Sequence, residues 1–282
     1  MSGHVPVRGG SHLRRGRNVR RASARVSLTR VAAVIVLLGA SLALARVNDP
    51  SAFAIRAIEI EGAELTDRDR VEAALLEGSG QGNLFRYDTA AAGERLARLP
   101  TVRTADVRAV LPDRLVATID ERVPVVAWAV GDGRSLVDGD SRFLVDGDGL
   151  LFAHVGPGDE PTVPSLSDLR PASAGLAIGS RLAPVELRVA RELAALTPAM
   201  LGSSAAGLVV RVTAADGFTV APTGPPTWVA VFGLYGEVTR GPDMVPLQVQ
   251  CLASLLADQG EENVGRIVLS PEGQSCGTFA AP

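Results

Sequence analysis

The chain has 282 residues, 46% of them hydrophobic and 4% aromatic, with a formal net charge of −3. That much apolar chain can build one large domain or two small ones, so wholesale disorder is excluded and the core must be aliphatic. The near-neutral total hides a division: residues 1–46 hold nine Arg and no acid, while residues 47–282 hold 19 Arg against all 31 acids, a net of −12.

The basic front suits either a nucleic-acid arm or the cytoplasmic flank of a membrane segment. The adjoining apolar run decides between them. Val31 to Ala45 reads VAAVIVLLGASLALA, without a charge. As a helix it covers about 22 Å, short of a hydrocarbon core about 30 Å thick. Extension from Val26 to Val47 reaches about 33 Å if Arg30 and Arg46 carry their charges to the interfaces. The expected layout is a basic cytoplasmic tail over residues 1–30 and a single transmembrane helix over 31–47, anchoring the chain in the lipid bilayer, with no nucleic-acid partner. Ala43-Leu44-Ala45 also fits a signal-peptide cleavage site, but the basic region is longer than a signal peptide's n-region. Either way residues 48–282 lie outside the cytoplasm.

Phe53–Glu61 alternates as a strand, ended by Gly62. Thr66 with Asp67 and Asp69 predicts a helix start, running to about Glu77 and burying Val71, Ala74 and Leu75. Gly78, Gly80 and Gly82 break it. Asp88 caps a second helix to about Arg98, stopped by Pro100. Thr101–Val110 predicts a strand with Val102 and Val107 inward. Leu111-Pro112-Asp113 turns the chain into Arg114–Glu121, where Leu115, Ala117 and Ile119 alternate. The order is β-α-α-β-β over residues 48–123, an α+β module with helices on one sheet face.

A different region, 124–282, opens at Pro124. Short apolar runs at Val125–Val130, Ser135–Val137, Phe143–Val145 and Leu150–Ala153 are separated by Asp-Gly turns. The phrase LVDGD occurs twice, at Leu136–Asp140 and Leu144–Asp148, an echo of successive hairpins. Pro184–Leu196 predicts an amphipathic helix burying Val185, Val189, Leu193 and Leu196. Strands follow near Leu208–Val212, Phe218–Ala221 and Trp228–Phe232. A last helix, about Val245–Ala257, precedes a strand at Ile267–Ser270. This is a mixed, β-rich domain with two helices.

No catalytic constellation stands out. His154 is isolated, and no HExxH, CxxC or GxSxG occurs. Asp138, Asp140, Asp146 and Asp148 hint at calcium, but position twelve is Pro157 counted from Asp146 and Gly149 counted from Asp138, so hairpin turns explain them. Gly78–Gly82 follows a helix and lacks the phosphate-binding Lys. The expectation is no enzyme, no metal and no cofactor. Cys251 and Cys276 are either a disulfide, permitted outside the cytoplasm, or inert, with Cys251 on a helix face beside Leu247 and Leu255.

The ordered phrases Ile58-Glu59-Ile60-Glu61-Gly62, Gly82-Asn83-Leu84-Phe85 with Asp88, and Leu96-Ala97-Arg98-Leu99-Pro100-Thr101-Val102 resemble the POTRA domain of the FtsQ/DivIB bacterial cell-division proteins. Ala105-Asp106-Val107-Arg108, Leu111-Pro112-Asp113-Arg114-Leu115, and Glu121-Arg122-Val123-Pro124-Val125 before Trp128 continue the match. Phe143–Gly149 extends it into that family's β domain. The family's closing strand usually carries Asp-Leu-Arg; here Val268-Leu269-Ser270 stands instead.

The resemblance implies a non-catalytic divisome scaffold at the division septum of the cell membrane. It would link early division proteins to FtsL- and FtsB-like partners and septal peptidoglycan synthesis. Open sheet edges suit that role, since strand addition needs backbone groups more than special side chains. The expected partner-binding residues are Val102, Arg103, Val107 and Arg108 on the first module, and Ile267, Leu269, Ser270 and Phe279 near the C-terminus. The alternatives are an anchored POTRA protein of another assembly pathway and a secreted enzyme.

Overall fold

A computed structural model describes residues 28–48, 53–77, 82–131, 142–156, 158–236, 240–270 and 276–282. The basic tail, most of the Gly78–Gly82 loop, and the run Ser135–Val137 with the first LVDGD copy lie outside the described residues. The chain forms two units, residues 1–52 and residues 53–282.

In the first unit, α1 spans Leu28–Asn48. Its 21 residues cover about 32 Å, enough to cross a bilayer by length and composition. Residues 28–46 are exposed throughout, unlike a helix buried in a soluble core.

The second unit begins with β1 (Ala57–Glu61), α2 (Arg68–Leu76), α3 (Thr89–Leu96), β2 (Val102–Val110) and β3 (Arg114–Glu121). The expected β-α-α-β-β order holds. The sheet order is β1-β3-β2, with β1 parallel and β2 antiparallel to β3. The strand expected from Phe53 starts only at Ala57, because Phe53 and Ala54 turn aside: the Phe53 carbonyl accepts from Leu84 N, and Ala54 bridges Asn83. Asp67, not Thr66, caps α2, its carboxylate accepting from Asp69 N at 3.0 Å. Thr66 is engaged elsewhere, donating its hydroxyl to Glu121 Oε1 at 2.5 Å. Asp88 caps α3 through Ala91 N. Gly62 has φ +79°, and a Cβ there would lie 2.2 Å from the Ile119 carbonyl oxygen, so no side chain fits.

The remainder is one nine-stranded sheet carrying two helices. Its strands are β4 (Pro124–Val130), β5 (Arg142–Asp146), β6 (Leu151–His154), β7 (Ser165–Asp168), β8 (Leu208–Thr213), β9 (Gly217–Pro222), β10 (Val229–Gly233), β11 (Arg266–Leu269) and β12 (Gly277–Ala280). They lie in the order β12-β11-β10-β9-β8-β7-β4-β5-β6. The helices are α4 (Pro184–Ala194) and α5 (Val245–Gln259). Two strands, β7 and β12, go beyond the sequence reading. The buried face of α4 is Leu187, Val189, Ala190 and Leu193; Val185 and Leu196 are only half-buried, Leu196 lying past the helix end.

Buried side chains form two clusters with no shared member. One joins Val71, Leu75, Leu96, Val107, Leu115 and Ile119 of the small module. The other joins Trp128, Phe143, Leu193, Trp228, Leu252 and Ile267 of the large sheet. Arg122 bridges the two regions: its Nε donates to the Pro100 carbonyl at 3.0 Å and its Nη1 to Asp146 Oδ2 at 2.7 Å. Asp146 Oδ1 meanwhile accepts from the amides of Asp148 and Leu150. This aspartate therefore builds the β5–β6 turn, and among the described residues no group of acids, His or Cys is disposed to hold a metal.

Two carboxylates organise the unit from inside. Asp168, at the end of β7, is fully buried. Its oxygens accept from Trp128 Nε1, from Ser173 Oγ, and from the backbone amide, Nε and Nη2 of Arg170. Burial alone would raise its pKa, but the Arg170 and Ser173 hydrogen bonds outweigh it and hold the carboxyl below its ordinary value. Glu121, at the end of β3, accepts from the amides of Glu64, Leu65 and Thr66 and from the Thr66 hydroxyl. There too burial pushes upward and the donated hydrogen bonds prevail, lowering the pKa.

Candidate partner-binding edges

A sheet's rim strands are where main-chain donors and acceptors remain available. In the small sheet the rims are β1, five residues long with Glu59 and Glu61 along it, and β2, nine residues long. In the large sheet they are β6 and β12. The β6 rim is covered: Leu151 N donates to the Ser180 carbonyl, and the Leu151 carbonyl accepts from Gly179 N. The candidate edges are thus β2 and β12.

On β2, Val102 and Val107 point into the core. Arg103 and Arg108 are exposed, as the alternation predicts, but a bulge between Val102 and Thr104 shifts the register at Arg103. Arg108 Nε lies 2.6 Å from Asp106 Oδ2, with both side chains mostly solvent-exposed. Beside this strand runs α3, and a groove of about 440 Å³ is lined by Ala90, Gly93, Glu94 and Ala97 on the helix side and by Arg103 and Asp106 of the strand. Gly93 sets the closeness: a Cβ there would come to 3.2 Å from the Ala105 carbonyl oxygen. Val102 and Val107 can serve a partner only through their backbone; Arg103 and Arg108 can use their side chains.

On the far rim, β12 pairs antiparallel with β11 from Arg266↔Ala280 to Leu269↔Gly277. Ile267 and Leu269 are buried, and their strand is bonded on both sides, to β10 and β12. A partner reaching β11 would have to displace β12. Ser270 is half-buried and its carbonyl accepts from Gln248 Nε2 at 3.3 Å. Phe279 lies opposite Ile267 in the ladder, hence on the same face, and is 46% exposed. Gly277 has φ +125°, and a Cβ would lie 2.1 Å from the Val268 carbonyl oxygen, so the start of β12 requires glycine. Cys276, just before β12, forms a disulfide with Cys251 of α5. The open cysteine question is thereby answered: Cys251 is half-buried against the core and also bonded.

The sequence reading missed β12 as a separate strand, the groove beside α3 and the disulfide's anchoring of the rim. The small residues Ala90, Gly93 and Ala97, spaced for one helix face, were the available signal for the groove.

The family model of the FtsQ-type POTRA domain matches residues 53–122. The chain is similar to the cell division protein FtsQ of Mycobacteroides abscessus, 33% identical over 147 residues, covering 50% of this chain and 44% of that protein. It is also similar to FtsQ of Corynebacterium glutamicum, 37% identical over 83 residues, or 29% of this chain and 36% of the relative. FtsQ of Jannaschia sp. is 37% identical over 87 residues, or 31% of this chain and 28% of the relative. Residues 53–122 thus form an FtsQ-type POTRA domain, and the chain resembles FtsQ/DivIB proteins over the matched stretch. Its matches span less than half the length of each of these curated relatives. The matched POTRA module contains β1–β3 and the α3–β2 groove, whereas β12 lies beyond it.

Proposed function

We propose that this chain is a membrane-anchored, non-catalytic cell-division scaffold that recruits partners by main-chain pairing at β2 and β12. Its helix over 28–48 holds it in the cell membrane with the Arg-rich N-terminus cytoplasmic, and residues 53–282 act outside at the septum. There they couple early division proteins to FtsL- and FtsB-like partners and so to septal peptidoglycan synthesis. The relatives named for cell division support the process. The observation that carries the mode of action is the β12 rim, four residues held on one side only and carrying a half-exposed Phe279. Such a rim offers backbone hydrogen bonds and one aromatic anchor to an incoming strand.

The test is midcell localisation of a fluorescently tagged chain, with binding of an FtsB-like exported segment measured in parallel. Phe279→Ala should weaken binding by about 1–2 kcal/mol, and removing residues 277–282 should abolish it in a chain that still folds. Arg108→Glu should lose recruitment through β2 while the melting temperature holds. Diffuse localisation of the wild type would sink the divisome reading; unchanged affinity in the folded truncation would remove β12 from it.

A further inference from the structure

The end of the POTRA module at which the chain enters it carries an apolar rim. Phe53 is the first residue of the second unit. Its ring meets Phe85 edge-on at a centroid distance of 4.6 Å. The Asp113 carbonyl accepts from Arg56 N and Ala57 N at 2.9 and 3.3 Å, so the Leu111-Pro112-Asp113 turn lies beside the same entry. Tyr87 donates its hydroxyl to the Leu75 carbonyl at 2.6 Å, bringing the last turn of α2 to that end as well. Three large apolar side chains sit here half in water: Phe85 at 49%, Leu111 at 56% and Leu76 at 49% exposed. Charge does not dominate the rim, for exposed Arg56 and Arg86 are matched by Glu77 and Asp113.

Chain length says what is near this rim. From Asn48, the last residue of α1, to Phe53 is five residues, which reach at most about 18 Å. The polar layer of a bilayer adds roughly 5–8 Å beyond the hydrocarbon on each side. A module tethered so closely has lipid headgroups within reach, and half-exposed aromatic and aliphatic side chains favour that interface.

We propose that this end of the POTRA module rests on the bilayer surface, with Phe85 and Leu111 seated among the lipids. The inference rests on the reading of α1 as a membrane span. The balanced charge makes the contact apolar, so it forms on zwitterionic lipid and resists salt. The occupant is the lipid itself, not a second protein.

The test uses the full chain reconstituted in phosphatidylcholine vesicles and recovered by flotation. Phe85→Trp, Leu111→Trp and Val123→Trp are compared, each checked for the wild-type melting temperature. The native Trp128 and Trp228 are fully buried and give a constant background. Val123, exposed beyond the opposite end of β3, is roughly 25 Å or more from the rim and is the control. In vesicles with brominated acyl chains, the added emission of F85W and L111W should fall roughly twofold while that of V123W holds. Equal response of all three would overturn the proposal. So would rim tryptophans that are shielded from acrylamide yet insensitive to bromine, because protein would then cover them. Failure of the chain to float would overturn the span itself and the lipid contact with it; flotation without quenching would overturn the lipid contact alone.

Discussion

Removing the Asp168 carboxylate should destabilise the large sheet more than any surface change. Asp168→Ala leaves Trp128 Nε1 and Ser173 Oγ, both on buried residues, without their acceptor. It also strips Arg170 of its bidentate partner, leaving the guanidinium only Glu186, whose Oε1 is 2.5 Å from Nη2. Breaking one side of a buried ion pair costs about 3–5 kcal/mol, chiefly through the charge left behind. For a domain of this size each kcal/mol lowers the melting temperature by roughly 2–4 °C, so a fall of roughly 6–20 °C is expected. The assay is thermal unfolding of a fragment spanning residues 53–282 followed by near-ultraviolet circular dichroism, which reports on the Trp128 environment. A double-mutant cycle sharpens the test: Arg170→Met alone should also destabilise, and the double variant should lose clearly less than the two single losses combined. If Asp168→Ala melts within a degree or two of wild type, the network is ornament and the reasoning fails.

Acid should unmake both carboxylate centres. The folded pKa values of Asp168 and Glu121 lie below their ordinary 3.8 and 4.5, so each contributes stability above about pH 4 that is lost as pH falls through the lowered folded value; denaturant midpoints should drop steeply below pH 4, and Glu121→Gln with Asp168→Asn should flatten that limb. The disulfide between Cys251 and Cys276 closes a loop of 25 residues, worth about 3.5 kcal/mol by chain entropy. Replacing both cysteines with serine should lower the melting temperature by roughly 7–14 °C and speed amide exchange in β12; unaltered melting would contradict this. Residues 53–122, having their own buried cluster, should melt cooperatively as an isolated fragment; an unfolded fragment would mean that Arg122 and the large sheet are required to hold them. Mass spectrometry of the mature protein should find the Arg-rich N-terminus retained; a start at Arg46 would indicate a cleaved signal.

How much of this was legible in the sequence depends on whether the signal is local. The helix started by Asp88 and the strand with Leu115, Ala117 and Ile119 inward were readable because one cap and one two-residue period decide them. The strand β7 was not: Ser165-Leu166-Ser167-Asp168 offers a single apolar residue. Asp168 can be buried only because five donor groups, one of them from distant Trp128, converge on it. Thr66 looked like the helix cap because the residues that claim its hydroxyl and amide lie 35 and 55 positions further along the chain, at Thr101 and Glu121. Hydropathy sees none of these partners.

The candidate sites divide the same way. That Arg103 and Arg108 face water follows from local alternation, but that β2 is a rim follows only from the sheet order, since the order β1-β2-β3 would have paired it on both sides. Ile267 and Leu269 looked like the last strand because Gly277-Thr278-Phe279-Ala280 has one large apolar residue and no alternation to announce a strand. Pairing with β11 makes it a strand, and the disulfide at Cys276 ties its start to α5. The consequence for function is specific. Under the proposed function a partner strand would meet β12 first, at a rim tethered covalently at one end, where glycine at 277 lets the main chain approach Val268. Affinity at that rim should therefore depend on the backbone of residues 277–280 and on Phe279 rather than on the buried Ile267 and Leu269. Truncating those two would instead be felt as lost core.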